Sequence, residues 1–167
     1  GAFSPMINYI RLGKVPNFFL LKYSLSDYFV DDLMLIPNFF FVESIIEKRN
    51  SLRESADRAG WVGCNILLHK IPMEGRVDII KDRKQFQPKI IKRNYDKIKF
   101  MSKIPIKERG WTSDVLNIIN SLEAKKFSLQ DAYSYEDKLF KSHPNNKNIK
   151  AKIRQQVQIL RDKGFLK

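Results

Sequence analysis

The chain of 167 residues holds one cysteine, Cys64, so no disulfide can close within it. It holds two histidines, His69 and His143. That count excludes, within these residues, a zinc site of four cysteines or of paired cysteines and paired histidines. No apolar run approaches the ~20 residues of a membrane span. No signal-peptide pattern is visible, so the expected location is cytoplasmic. Neither an internal repeat nor a low-complexity tract interrupts the sequence. Acidic residues are scarce: 18 Asp and Glu stand against 31 Lys and Arg, a formal net charge of +13. A balance so basic suits a polyanionic partner, which is DNA, RNA or an acidic membrane surface. Hydrophobic residues make up 43%, enough for a packed core in one large or two small domains.

The positive charge is spread along the chain but is densest at its end. Residues 145–167 carry seven basic side chains against the single Asp162. Within this segment, 145–164 reads as one amphipathic helix. Asn145, Asn146 or Asn148 can cap its start, and Gly164 sits where a left-handed C-cap belongs. Ile149, Ile153, Val157 and Leu160 recur at helical spacing and predict the buried seam. At roughly 100° per residue the opposite face holds Asn148, Ala151, Gln155 and Gln158. Lys147, Lys150, Lys152, Arg154 and Arg161 flank it. Amides and a small side chain between cations suit a helix lying in a DNA major groove: amides pair with adenine edges, a methyl-sized side chain approaches a base methyl, and cations hold phosphates. The alternative is a core helix whose outer face is simply solvated. Membrane-surface binding is disfavoured, because the face opposite the seam carries amides and the helix has no aromatic.

Upstream, residues 6–12 predict a short helix closed by Gly13. The apolar run 17–23 predicts a strand buried on both faces, followed by a turn at Ser26-Asp27 and a second strand over 28–36. Residues 38–46 fit helix or strand equally. Residues 47–57 are polar and predict an exposed loop. Segments 65–71 and 76–81 predict a strand pair, and 88–101 a helix. Residues 1–101 thus read as a mixed α/β unit and 102–111 as a linker. Residues 112–167 read as a helical unit. In it Thr112 caps one helix, Ser128 with Asp131 caps a second as a variant capping box, and the basic helix is third. Three helices followed by an incipient strand is the plan of a winged helix-turn-helix with a truncated wing.

Four segments carry a resemblance: PNFFLLKY at 16–23, RAGWVGCN at 58–65, RGWTSDVLNII at 109–119 and KIRQQVQILRDKG at 152–164. They run colinearly through the chain and resemble the DpnI-like, Dam-replacing family of methyl-directed type II restriction endonucleases. The resemblance implies an α+β protein: a partial PD-(D/E)xK nuclease core followed by the winged helix. It also implies a bacterial enzyme that cuts double-stranded GATC sites carrying N6-methyladenine, using magnesium, with a structural zinc site. The family's catalytic Asp and Glu-x-Lys and its four zinc cysteines match no position here, so the chain is expected to be a fragment supplying methylated-DNA recognition. No catalytic or metal-binding residue is assigned to it, and no oligomeric state. The alternative is a winged-helix methyl-DNA-binding or transcription-regulating protein without nuclease activity; an RNA-binding or structural basic module is a third class.

On the same resemblance, Trp61 presents its ring to the adenine methyl, against the commoner use of a tryptophan packed under a glycine turn. Asn148, Ala151 and Gln155 are the base-edge candidates, Gln158 is a further DNA-binding candidate, and Lys147, Lys150, Lys152 and Arg154 are the phosphate candidates. Arg58 and Arg109 each precede a tryptophan and either hold phosphates or brace a turn. Trp111 is expected to be a packing anchor and Cys64 a small buried hydrophobe. His69 and His143 lack partners at metal-ligand spacing and are not read as ligands. Asp114 followed by Glu123-Ala124-Lys125 mimics a catalytic pattern but falls on a helix end. Lys89, Lys92, Arg93, Lys97 and Lys99 form a basic run, either the wet face of a helix or a phosphate track.

Overall fold

The computed structural model describes residues 1–122 and 126–166. Its first strands are the expected hairpin. β1 (Phe18–Ser24) and β2 (Phe29–Ile36) pair antiparallel, with Phe18 opposite Ile36 and Leu21 opposite Leu33. β5 (Val77–Lys81) joins the other edge of β2 and turns into β6 (Lys84–Gln85), giving the order β1-β2-β5-β6. Asp82 and Arg83 make that turn with φ of 48° and 64°, both positive as a two-residue type I′ hairpin requires. The side chain of Arg83 then donates to Asp31 at 2.8 Å and contacts Asp27 at 2.6 Å, tying the turn to the first hairpin. The 17–23 run is not buried on both faces. β1 is an edge strand, and Phe19 and Leu21 are each 56% exposed on the uncovered side of the sheet.

The polar stretch 47–57 divides: 47–51 are strand, and 52–57 are the expected loop. β3 (Ile46–Ser51) pairs with β4 (Val62–Ile66) in a separate two-stranded ribbon. After Ile46 every side chain of β3 is exposed, so no apolar alternation advertises it. β4 therefore does not pair with β5 as the sequence suggested. The chain between them folds into two 3₁₀ turns, Leu68–Lys70 and Met73–Gly75. The Arg76 side chain holds them, donating to the carbonyls of Leu68 (2.7 Å) and Ile71 (2.9 Å). Residues 38–45, ambiguous in sequence, likewise form two 3₁₀ turns that bury Phe39, Phe40 and Ile45. α1 (Phe3–Arg11) lies against the ribbon, and α2 (Pro88–Ile98) lies against β5. Together they enclose a core that includes Ile36, Phe40, Ile71, Val77, Ile98 and Met101.

The expected linker is half helix. α3 (Ile106–Ser121) starts directly after Pro105, so Thr112 lies mid-helix and buried instead of capping it. Arg109 braces this entry, donating to the carbonyls of Ile104 (3.0 Å) and Ser102 (2.9 Å). Partial burial pulls its guanidinium pKa below the ordinary value. The second expected helix is two: α4 (Leu129–Tyr133) and α5 (Glu136–Ser142). α6 (Ile149–Asp162) follows, ending at Gly164 with φ of +75°. α3, α4, α5 and α6 share a second core of Trp111, Val115, Leu116, Ala132, Leu139, Ile149, Ile153 and Leu160. Phe165 forms no strand. It packs on Phe100 with ring centroids 5.1 Å apart, and these two rings border both cores. Asn117 and Asn120 on α3 add hydrogen bonds to the Lys70 carbonyl (2.7 Å) and Glu74 (2.9 Å). Among the described residues no helix is long and apolar enough to cross a membrane.

The α4 start is the full reciprocal capping box: Ser128 Oγ accepts from the Asp131 N–H, and Asp131 accepts from the Ser128 N–H at 2.7 Å. Those bonds hold the Asp131 carboxyl below its ordinary pKa. A depressed folded pKa stabilises the fold above the unfolded value and is lost as pH falls through the folded one. Urea midpoints of wild type and Asp131→Ala should therefore differ at pH 7 and converge as the carboxyl protonates; an offset that persists into strong acid would refute the linkage.

Candidate nucleic-acid interface

α6 is clamped on two sides. Its seam of Ile149, Ile153 and Leu160 is buried, with Val157 half-buried beside it. Gln156 lies in the same seam at 0% exposure, and Thr112 Oγ1 of α3 donates to its Oε1 at 2.7 Å. The Gln156 Nε2 has no partner among the described residues. One turn earlier Lys152 is ion-paired with Glu108 of α3, its side chain only 15% exposed. On the other flank Lys150 reaches Glu136 of α5 at 3.3 Å. This last pair is exposed on both sides and holds little energy.

The clamp leaves one face open. Asn148, Ala151, Arg154, Gln155 and Gln158 are all exposed. The face divides along its length. At the C-terminal end Gln158 donates to Asp162 at 2.6 Å and accepts from Arg161, so its amide is already engaged. At the N-terminal end the side chains of Asn148 and Gln155 have no hydrogen-bond partner among the described residues, and Ala151 lies between them. Recognition helices of helix-turn-helix proteins contact base edges with their N-terminal residues, which is the end left open here. Lys147 and Arg154 are exposed and form no ion pair among the described residues, whereas Lys152 is held by Glu108. Lys147, Arg154 and the loosely paired Lys150 are thus the cations able to meet phosphates.

The turn into α6 is fixed from α3 through His143, which the sequence sets aside only as a metal ligand. His143 Nε2 lies 2.8 Å from Asp114 Oδ2, and its ring stacks on Trp111 at 3.8 Å with planes 15° apart. Asn146 continues the turn by accepting from the Asn148 N–H at 2.7 Å. Trp111 is the packing anchor expected of it, 7% exposed. The signal for His143 was present: Trp111 and Asp114 sit three apart on α3 and so share a face.

Trp61 and Arg58 lie elsewhere, at the tip of the β3–β4 ribbon. The loop closes through Leu52 N–H to the Trp61 carbonyl (2.9 Å) and Trp61 N–H to the Arg58 carbonyl (3.0 Å). Trp61 is half-buried and belongs to neither core, while Arg58 is exposed. The indole lies against its own strand over Gly63, where a Cβ would come within 2.8 Å of its ring carbons. No hydrogen bond or ion pair joins this loop to α6 among the described residues. Cys64 is half-buried, its Sγ 3.5 Å from the Gly1 carbonyl.

The sequence model of the DpnI group, described as the Dam-replacing family, matches residues 1–104. A second, described as the Dam-replacing HTH domain, matches residues 107–167. The chain belongs to the Dam-replacing family. The helix-turn-helix assignment of residues 107–167, the unit that contains α6, points to DNA binding. Among the described residues no three His, Cys, Asp or Glu side chains converge to hold a metal. Asp114 is committed to His143, and Glu123-Ala124-Lys125 lie outside the described residues.

The buried Thr112–Gln156 contact yields a sharp expectation. Thr112→Val strips Gln156 of its partner and should cost about 1–3 kcal/mol, whereas Thr112→Val combined with Gln156→Leu removes both polar groups and should be near neutral. Denaturant unfolding of the four proteins in the cycle measures this; additive losses would show that the two groups do not act as a pair.

Proposed function

We propose that this chain recognises methylated double-stranded DNA for a methyl-directed restriction endonuclease. α6 acts as the reading helix of a winged helix-turn-helix. Its N-terminal half lies in the major groove, with Asn148, Ala151 and Gln155 toward base edges and Lys147, Lys150 and Arg154 toward phosphates. The ribbon-tip loop is a second reader, Trp61 covering the methyl of N6-methyladenine in a GATC site and Arg58 meeting the backbone. The unit of residues 1–101 is the later part of a PD-(D/E)xK core, in the cytoplasm of a bacterium. The observation that carries this reading is the amide-and-alanine face of α6, held open by a clamp on its opposite side, within the family's helix-turn-helix unit. Cleavage is assigned to no residue of this chain. A methyl-DNA-binding regulator that never cuts uses the same surface, and cutting by the complete protein is what separates the two.

The test is equilibrium binding to GATC duplexes that are fully methylated, hemimethylated or unmethylated, and to a random duplex, each with RNA competitor. Methylated GATC is expected to bind best. Gln155→Ala should cost about 1–3 kcal/mol at one base position and little on random DNA. Trp61→Ala should weaken methylated sites by about fourfold relative to unmethylated ones, the worth of roughly 0.8 kcal/mol for one buried methyl. Equal losses on all duplexes would refute these roles, and preference for RNA would refute the reading as a whole.

A further inference from the structure

α2 presents a charged face that the reading surface of α6 does not explain. Its half-buried and buried side chains, Ile90, Ile91, Asn94, Tyr95 and Ile98, turn one side toward the sheet. The other side shows Lys89, Lys92, Arg93 and Lys97, followed by Lys99 at the C-cap, all exposed. Asp96 is the single acid among them. None of the five cations forms an ion pair among the described residues. Some cations elsewhere are paired, Arg11 with Glu43, Arg83 with Asp27 and Asp31, and Lys152 with Glu108, while others, such as Lys48, Arg49 and Arg154, form no ion pair among the described residues; what sets α2 apart is five such cations on one face of one helix.

The first turn of the helix is also built against the macrodipole, while Lys97 in the last turn complements it. Its first turn has no acid and instead carries Lys89, where the macrodipole favours negative charge. Lys89, Arg93 and Lys97 follow one another at i, i+4, the spacing at which like charges repel. A solvated helix gains nothing from this arrangement. A row of negative charges laid along the face relieves both penalties. From Lys89 to Lys99 the face runs about 15 Å at 1.5 Å per residue, long enough to meet two or three successive phosphates of one strand. The face lacks aromatic and aliphatic side chains, so a lipid surface has nothing to take up.

We infer that the exposed face of α2 is a further DNA-contact surface, beside α6 and the ribbon tip, that binds the phosphate backbone of the duplex without reading sequence. The inference rests on the DNA-binding reading above and adds to it a sequence-independent share of the affinity. Lys92→Gln/Arg93→Gln/Lys97→Gln is the informative variant, since glutamine keeps helix propensity and the positions bury nothing. The measurement is duplex affinity between low and moderate salt for wild type, this variant and Gln155→Ala. The triple variant should flatten the dependence of log K on log salt by about 2–3 units while keeping the preference for methylated GATC. Its thermal midpoint should be unchanged or raised, which shows that it folds. An unchanged slope with wild type still bound and Gln155→Ala still altering base preference overturns the α2 inference alone. No duplex binding by wild type overturns the reading it rests on. Loss of binding to anionic-lipid vesicles with an unchanged duplex slope also overturns it, and assigns the face to a membrane.

Discussion

The hydrogen bond between Thr112 and Gln156 decides which side of α6 reaches solvent. Gln156 points into an otherwise apolar seam, where its amide oxygen is out of reach of water. Rotating α6 by one residue would strand that oxygen and expose Ile153, so both polar and apolar terms oppose it. Lys152 with Glu108 fixes the same flank a turn earlier. The open face of Asn148, Ala151 and Gln155 is thus the geometric complement of what α3 holds. α3 is itself anchored: Trp111 and Asp114 hold His143, while Asn117 and Asn120 bind the 3₁₀ turns of the sheet unit.

Charge is organised in two ways. Where a cation helps build the fold it has an acid or a carbonyl: Arg83 on Asp27 and Asp31, Arg76 on Leu68 and Ile71, Arg109 on Ser102 and Ile104. Cations without an ion pair among the described residues include Arg154 on α6, Lys147 just before it and the row along α2, and also Lys48, Arg49, Arg53 and Arg58 on the β3–β4 ribbon and its loop. The net charge of +13 is therefore not evenly available to a polyanion. Lys152 shows why a count misleads: it lies within the basic helix, yet its charge is neutralised inside the protein.

What was legible in the sequence was what depends on near neighbours. The β1–β2 hairpin, the Ser128–Asp131 box and the Gly164 stop are each written within a few positions, and each is found. The α6 seam was legible because burial repeats with the helical period. Gln156 was not, since a polar residue within a seam is a break in the pattern until its partner, 44 residues away, is known. β3 escaped notice because a ribbon with nearly all its side chains in water has no alternation to read. The linker was misplaced because Lys107, Glu108, Arg109 and Gly110 look like a loop. They are helical because α3 packs against the sheet unit as well as against α6. For the interface, exposure agreed with the wheel at Asn148, Ala151 and Gln155, while the engagement of Gln158 and Lys152 by neighbouring side chains required coordinates.

The contact between Phe100 and Phe165 has a consequence for the nucleic acid. The two rings border both cores, and Asn117 and Asn120 of α3 bond to the 3₁₀ turns of the sheet unit, so packing and hydrogen bonds resist independent movement of the sheet unit and the helical unit. Surfaces carried on the two units are then presented at one set angle. A duplex that touches more than one of them has to supply the curvature itself. On the proposed DNA-binding reading, the stiffness of the base steps between those contacts would then enter the binding energy without being touched.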